Sequence, residues 1–201
     1  MKLIFVGSQG SGKGTQAKMV AEKFGLCHIS SGDLLREVEG ELKIEVDGIM
    51  ERGELVSTEL IVRILKKRLK EADCEKGFIL DGFPRTASQA EELKSITGID
   101  KVIEISISDE EAIRRVCGRR TCVKCGAIFN VNSLRSRVEG VCDKCGGELI
   151  MRKDDNEEAL KERLRVYHEE TEKILKMYDV VKINGEQSIE VVFGDIVEKI
   201  D

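Results

Sequence analysis

The apolar run Leu3-Ile4-Phe5-Val6, followed without a break by GSQGSGKGTQ from Gly7 to Gln16, constrains this chain more than any other feature. Four apolar residues that stop at glycines and give way to helix formers predict a buried strand, a tight loop and a helix start. The spacing Gly7-x4-Gly12-Lys13 is that of a phosphate-binding loop. Glycines let successive backbone N–H groups turn toward an anion with no side chain in the way. The following helix points its positive end at the same place, and Lys13 adds a full charge. Gly10, Ser11, Gly12, Lys13, Gly14 and Thr15 are therefore candidate ligands for the phosphates of a nucleotide such as ATP. A hydroxyl residue that meets magnesium ordinarily follows the lysine. Here Gly14 follows it, and the hydroxyl arrives at Thr15. An ordinary glycine turn is the plain alternative; the strand before it and the Gly-Lys pair argue against that.

Downstream, short apolar strands alternate with helical patterns. Strands are expected at 2–6, Cys27–Ser30, Phe78–Leu80, Lys101–Ser108 and Val180–Ile183. Helices are expected at 13–24, from Ser31 to Arg36, and at 41–52, 58–72, Asp109–Arg119, 156–177 and 187–200. Ser31 or Asp33 is available to cap the helix that begins SGDLLR. This rhythm predicts an α/β fold, a three-layer core around a central parallel sheet. Only Arg120–Arg152 breaks it, with glycines, cysteines and little periodicity, and reads as an inserted subdomain.

That insertion holds four of the chain's seven cysteines: Cys122 and Cys125, then Cys142 and Cys145. Two C-x2-C pairs at this separation match a tetrahedral zinc site with four thiolates. Four thiolates fill the coordination shell, so the metal is structural. The need is physical, because a flap of about thirty residues buries too little apolar surface to hold itself together. A pair of redox dithiols is the alternative. Cys27, Cys74 and Cys117 read as reduced thiols. This cysteine usage points to a reducing, cytoplasmic setting. No apolar stretch approaches the roughly 18 residues that cross a membrane, and Leu3–Val6 is too short for a signal peptide. A net charge of −5 argues against broad binding to nucleic acid.

A third motif is LDGFPRT, Leu80 to Thr86. Asp81, at the end of a strand beside a phosphate loop, stands where magnesium and its waters are held. Gly82 permits close approach of a ligand, Pro84 stiffens the turn, and Arg85 offers a forked donor for phosphate. Arginines also gather around the insertion: Arg115, Arg119 and Arg120 before it, Arg152 at its end, Arg163 on the next helix. A flap closing over a polyphosphate could carry these cations to it. Merely solvated helix faces are the bland alternative, as for Arg114 and Lys161.

GSQGSGKGTQ, SSGDLLR, GFPRTASQA, GRRTCVKCG and RKDDNEEALKERL occur in the order and spacing of adenylate kinases of the long-lid, zinc-containing type, which this chain resembles along essentially its whole length. The resemblance implies a phosphate-loop core at 1–29, 57–117 and 156–201, a domain for the nucleoside monophosphate at 30–56, and a mobile zinc-binding lid at 118–155. It implies the reaction ATP + AMP ⇌ 2 ADP with Mg2+, in a cytoplasmic monomer with no nucleic-acid or membrane partner. Ser31, Arg36, Leu55, Val56, Ser57, Gly82, Arg85 and Gln89 would grip AMP, Ser31 and Gln89 facing the base, Arg36 and Arg85 the phosphate. Arg115 would stack on the donor adenine, with the backbone near Lys182 at its edge. Arg119, Arg152 and Arg163 would converge on the transferring phosphoryl group, the last two reaching AMP as well. Asp81 would orient magnesium through water, and Asp154 and Asp155 would orient lid arginines.

The chain departs from the resemblance in three places. Gln9 stands where proline is common, Asn130 where histidine is, and the monophosphate domain is shorter around Glu37–Ile44. A kinase for another nucleoside monophosphate, or one using GTP as donor, is the nearer alternative. A zinc-ribbon nucleic-acid module on a nucleotide switch is the more distant one, weakened by an insertion whose only aromatic is Phe129.

Overall fold

The computed structural model describes residues 1–200. Strand β1 (Lys2–Val6) lies at the centre of a five-stranded parallel sheet of order β2-β3-β1-β4-β8, with β2 Cys27–Ser30, β3 Phe78–Asp81, β4 Lys101–Ser106 and β8 Val180–Asn184. Alternate residues of a strand face opposite sides. Ile4 and Val6 therefore enter one layer with Leu80 and Val102, while Leu3 and Phe5 enter the other with Ile79, Ile103 and Ile105. Burial on both faces is why β1 reads as an unbroken apolar run.

Helix α1 (Lys13–Phe24) and the last helix, α9 (Ile189–Ile200), cover one face through Ala17, Val20, Val192 and Ile196. The other face is covered by α2 (Ser31–Arg36), α3 (Glu41–Glu51), α4 (Thr58–Arg68) and α5 (Ala87–Ile96), through Leu35, Val46, Ile61, Leu65 and Leu93. Parallel strands end at one edge. The register Phe5↔Asp81 and Ser30↔Asp81 sets the phosphate loop, the start of α2 and Asp81 side by side there.

Several expected boundaries shift. Ser30, rather than Ser31 or Asp33, caps α2, its Oγ accepting from Asp33 N at 3.2 Å. Helix α4 stops at Arg68, whose guanidinium holds Asp73 in the reversal that leads back to β3. Strand β4 stops at Ser106 because Ser108 caps α6 (Asp109–Gly118). Arg119 is extended and begins β5. The expected 156–177 helix is α7 (Glu157–Val166), a π-helical segment Tyr167–Thr171 and α8 (Glu172–Leu175). Helix α5 was absent from the sequence reading.

The insertion is a three-stranded antiparallel sheet, β6-β5-β7, of β5 Arg119–Cys122, β6 Ile128–Asn130 and β7 Leu149–Ile150. Its own buried cluster is Cys122, Phe129, Cys142 and Leu149. At its base α6 packs on α7 through Ala112, Val116, Leu160 and Leu164. No helix among the described residues is long and apolar enough to cross a membrane.

Candidate active site

The loop from Gly7 to Gly12 turns under the N-terminus of α1, with Gly12 at φ 90° leading into the helix. Lys13 Nζ donates to the Ser8 carbonyl at 3.1 Å. Ser8 Oγ and Ser11 Oγ are buried and find no partner among the described residues. Buried hydroxyls without partners beside a helix N-terminus fit an anion. A Cβ on Gly14 would stand 3.0 Å from Asp81 Oδ2. The Asp81 carboxylate thus reaches over the first turn of α1, which explains why glycine, not a hydroxyl residue, follows Lys13. His28 Nε2 lies 3.3 Å from the same oxygen. Burial pushes the Asp81 carboxyl up, but His28, Lys13 and Arg85 together hold it below the ordinary range.

Two cavities open at this edge. Gly7, Lys13, Gly53 and Tyr167 line the first; Ser31, Arg36, Val56 and Gln89 line the second. Gln9, Leu55, Gly82, Arg85 and Arg163 line both. The turn after β3 is held tightly. Ser31 Oγ and Arg85 Nε each donate to the Gly82 carbonyl at 2.7 Å, and the Arg85 N–H donates to Gln89 Oε1 at 2.8 Å. Thr171, in the π segment, donates to the Arg85 carbonyl at 3.0 Å. Such segments recur at functional sites because they re-aim side chains. Ser57 caps α4.

The arginines converge on two adjacent carboxylates. Asp154 Oδ2 accepts from Arg36 Nη2 at 3.1 Å and Arg163 Nη2 at 2.6 Å, and Asp155 takes Arg119 on both its oxygens. Arg152 Nε donates to Thr121 Oγ1 across the lid sheet at 3.0 Å. The cations outnumber their partners. Burial lowers Lys13 to about 8, with Arg85, Arg119 and Arg163 adding to the effect against Asp81. Burial, then Arg163, lowers Arg85 to about 10; burial, then Arg36 and Arg119, lowers Arg152 to about 10. The pocket is short of negative charge. Arg115 bridges Glu111, the Gly10 carbonyl and the Gly185 carbonyl. On the neighbouring strand β8, Lys182 Nζ faces Glu104 at 3.5 Å. Gly185, three residues on, is what meets Arg115.

In the lid, the four sulfurs of Cys122, Cys125, Cys142 and Cys145 lie within 4.8 Å of one another. Cys122–Cys145 and Cys125–Cys142 are 3.5 and 3.6 Å apart. A tetrahedron with Zn–S bonds of about 2.3 Å has edges of roughly 3.8 Å, so the set is compatible with zinc. The short distances join one C-x2-C turn to the other, which fits a shared metal better than two separate dithiols. Cys27 and Cys74 instead receive Arg68, at 2.9 and 3.1 Å, and burial raises the Cys27 thiol to about 12.

The adenylate kinase family model matches residues 5–183. The chain belongs to the adenylate kinase family. It is 45% identical to the adenylate kinase of Archaeoglobus fulgidus, over 98% of this chain and 96% of that one. It is 43% identical to that of Lachnospira eligens, over 98% and 99%, and 44% identical to that of a Geobacillus species, over 98% and 97%. As an adenylate kinase it is a phosphotransferase acting between Mg-ATP and AMP. The four-cysteine lid belongs to the long-lid type of that family. Two residues to which the motifs gave no role lie at this adenylate kinase site. Gln9 sits in the wall common to both cavities, and Thr171 supports Arg85 through a helix irregularity that leaves no local mark in the sequence.

Proposed function

We propose that phosphoryl transfer occurs where the two cavities meet, and that the work is divided as follows. The loop Gly10–Thr15 with Lys13 holds the ATP phosphates, and Arg115 faces the adenine. Ser31, Arg36, Leu55, Val56, Ser57, Gly82, Arg85 and Gln89 hold AMP. Arg119, Arg152 and Arg163 gather around the group in flight. The core is 1–29, 57–117 and 156–201, the AMP domain 30–56 and the lid 118–155. The observation that carries this reading is the gathering of Arg36, Arg119 and Arg163 on Asp154 and Asp155 beside the wall that the phosphate-loop cavity shares with the Ser31–Gln89 cavity.

The acceptor oxygen of AMP is already anionic near neutral pH, so no general base is needed. His28 faces Asp81, and His168 lies between Asp109 and Glu172, away from the arginines. Catalysis reduces to alignment and to charge neutralisation of a loose transition state. Buried Asp81 is the carboxylate suited to hold, through water, a Mg2+ that would come with ATP and would supply charge neutralisation at its phosphates. Closure of the lid excludes water, which would otherwise accept the phosphoryl group. Zn2+ on Cys122, Cys125, Cys142 and Cys145 would make the lid stiff enough to close as a unit. The same reading has a cytoplasmic monomer working on free nucleotides, without nucleic acid or membrane. Its support is a chain of net charge −5 with six Phe, two Tyr and no Trp.

ADP formation from Mg-ATP with AMP, UMP, CMP, GMP or no acceptor tests it. AMP-dependent ADP with little activity on the others is expected. Activity shifted to another acceptor would overturn the base-site assignment, and no transfer by folded, zinc-loaded protein would overturn the catalytic one.

A further inference from the structure

Gln9 is the one loop residue whose side chain reaches the lid's arginine cluster. Its amide is oriented by its surroundings: with the oxygen toward the guanidinium, Oε1 accepts from Arg119 Nη2 at 2.9 Å and Nη1 at 3.3 Å. Arg119 is also gripped by Asp155, through Nε at 2.8 Å and through Nη2. The two anchors belong to different parts of the molecule. Asp155 follows the last lid strand, whereas Gln9 lies between Ser8 and Gly10 in the phosphate loop. Asp155 alone would register Arg119 to the lid. Gln9 registers it to the phosphates.

We propose that Gln9 is a positioning residue that aims Arg119 at the transferring phosphoryl group. The proposal rests on the assignment of Arg119 to that group. A neutral amide orients a cation without cancelling its charge, so Arg119 keeps its full attraction for the phosphoryl oxygens. A carboxylate at position 9 would quench that charge and stand against the polyphosphate. Gln9 shares the wall between the two cavities with Arg85 and Arg163, so the Arg119 guanidinium bonded to it is held beside that wall. Fixing a donor before the charge develops is what makes such a group effective, since it need not reorganise during the step.

The test is steady-state kinetics on Gln9→Met, Gln9→Ala, Arg119→Ala and the Gln9→Met/Arg119→Ala double variant, each shown to be folded by its thermal melt. Methionine keeps the length of glutamine and removes the acceptor. Gln9→Met and Gln9→Ala are expected to lower kcat about tenfold, the order for one hydrogen bond to a charged group. KM for ATP and AMP should stay within about twofold, because the effect is on orientation in the transition state. In the Arg119→Ala background, Gln9→Met should cost nothing further. A Gln9→Met enzyme at full speed beside a slow Arg119→Ala enzyme would overturn this proposal alone. So would a Gln9→Met loss that persists undiminished without Arg119, since it would report the loop's own structure. A fast Arg119→Ala enzyme would overturn the underlying assignment, and this proposal with it.

Discussion

Asp155, with its side chain wholly enclosed, receives the guanidinium of Arg119 in a fork, one carboxylate oxygen to each of two nitrogens. Arg119 opens the first lid strand and Asp155 follows the last, so the pair fastens the two ends of the lid to each other. Asp155→Asn leaves Arg119 half-partnered in a crowded cationic pocket. Stability should fall by about 1–3 kcal/mol, the cost of leaving such a group unsatisfied, and kcat should fall with it. Denaturant melts with an unchanged midpoint would argue that the fork is ornamental.

Arg85 comes from the turn after β3 and Arg119 from the start of the first lid strand. Alanine at either should slow turnover by about 10²–10³-fold, as removal of a preorganised charge does; the thermal midpoint should change little at Arg85 and fall at Arg119, whose loss strands the enclosed Asp155 carboxylate. A folded variant with near-normal turnover would remove that residue from the mechanism.

Lys13 gives a pH signature. Burial holds it at about 8 in the free protein, below its ordinary 10.5. Bound phosphate favours the charged form and raises it again, so binding above about pH 8 must take up a proton. KM for Mg-ATP should be flat below that point and rise by up to about tenfold per pH unit above it. A KM that stays level up to about pH 9.5 would mean that Lys13 remains charged without phosphate.

Asp154 sets an acid limit. Burial pushes its carboxyl up, but Arg163 and Arg36 outweigh this and hold it at about 2, against an ordinary 3.8. A carboxyl lowered in the folded state contributes stability above its unfolded pKa and loses it as pH falls through the folded one. About 2 kcal/mol should therefore disappear between roughly pH 4 and pH 2. Asp154→Asn should remove that part of the pH dependence, which urea unfolding at stepped pH would read.

Metal analysis should find about one zinc per chain, bound by the four lid cysteines. A chelator should expose lid amides to hydrogen exchange before those of the main sheet. Metal-free protein with an equally protected lid would overturn the structural role of the metal.

The sequence was most legible where one residue type serves one purpose. The phosphate loop, the paired cysteines and the strand ending at Asp81 all depend on local chemistry, and each lies where the motif indicated. Boundaries were less legible because competing caps decide them: Ser30 and Ser108 take hydrogen bonds that the neighbouring pattern alone does not assign. The bond from Arg115 to the Gly185 carbonyl was not legible, because it forms only where β8 has run to Asn184 and the chain turns beside α6. Gln9 stood out as a departure from proline, but its contact was not legible. Its partner is Arg119, and only the tertiary fold brings the two together. The π segment is likewise invisible, since Tyr167 and Thr171 read as ordinary helix until Glu104 and the Arg85 carbonyl are there to receive them.

The lid's buried cluster of Cys122, Phe129, Cys142 and Leu149 also governs how the molecule wears out. The central sheet is packed on both faces by residues other than the four lid cysteines, so a metal held by those four would, on leaving, loosen the flap first. Such an enzyme fails in one place and leaves a standing scaffold behind. Reduction of the thiols and fresh metal would then restore the flap without refolding the sheet. A part that can be lost and regained in this way makes the catalyst serviceable rather than disposable.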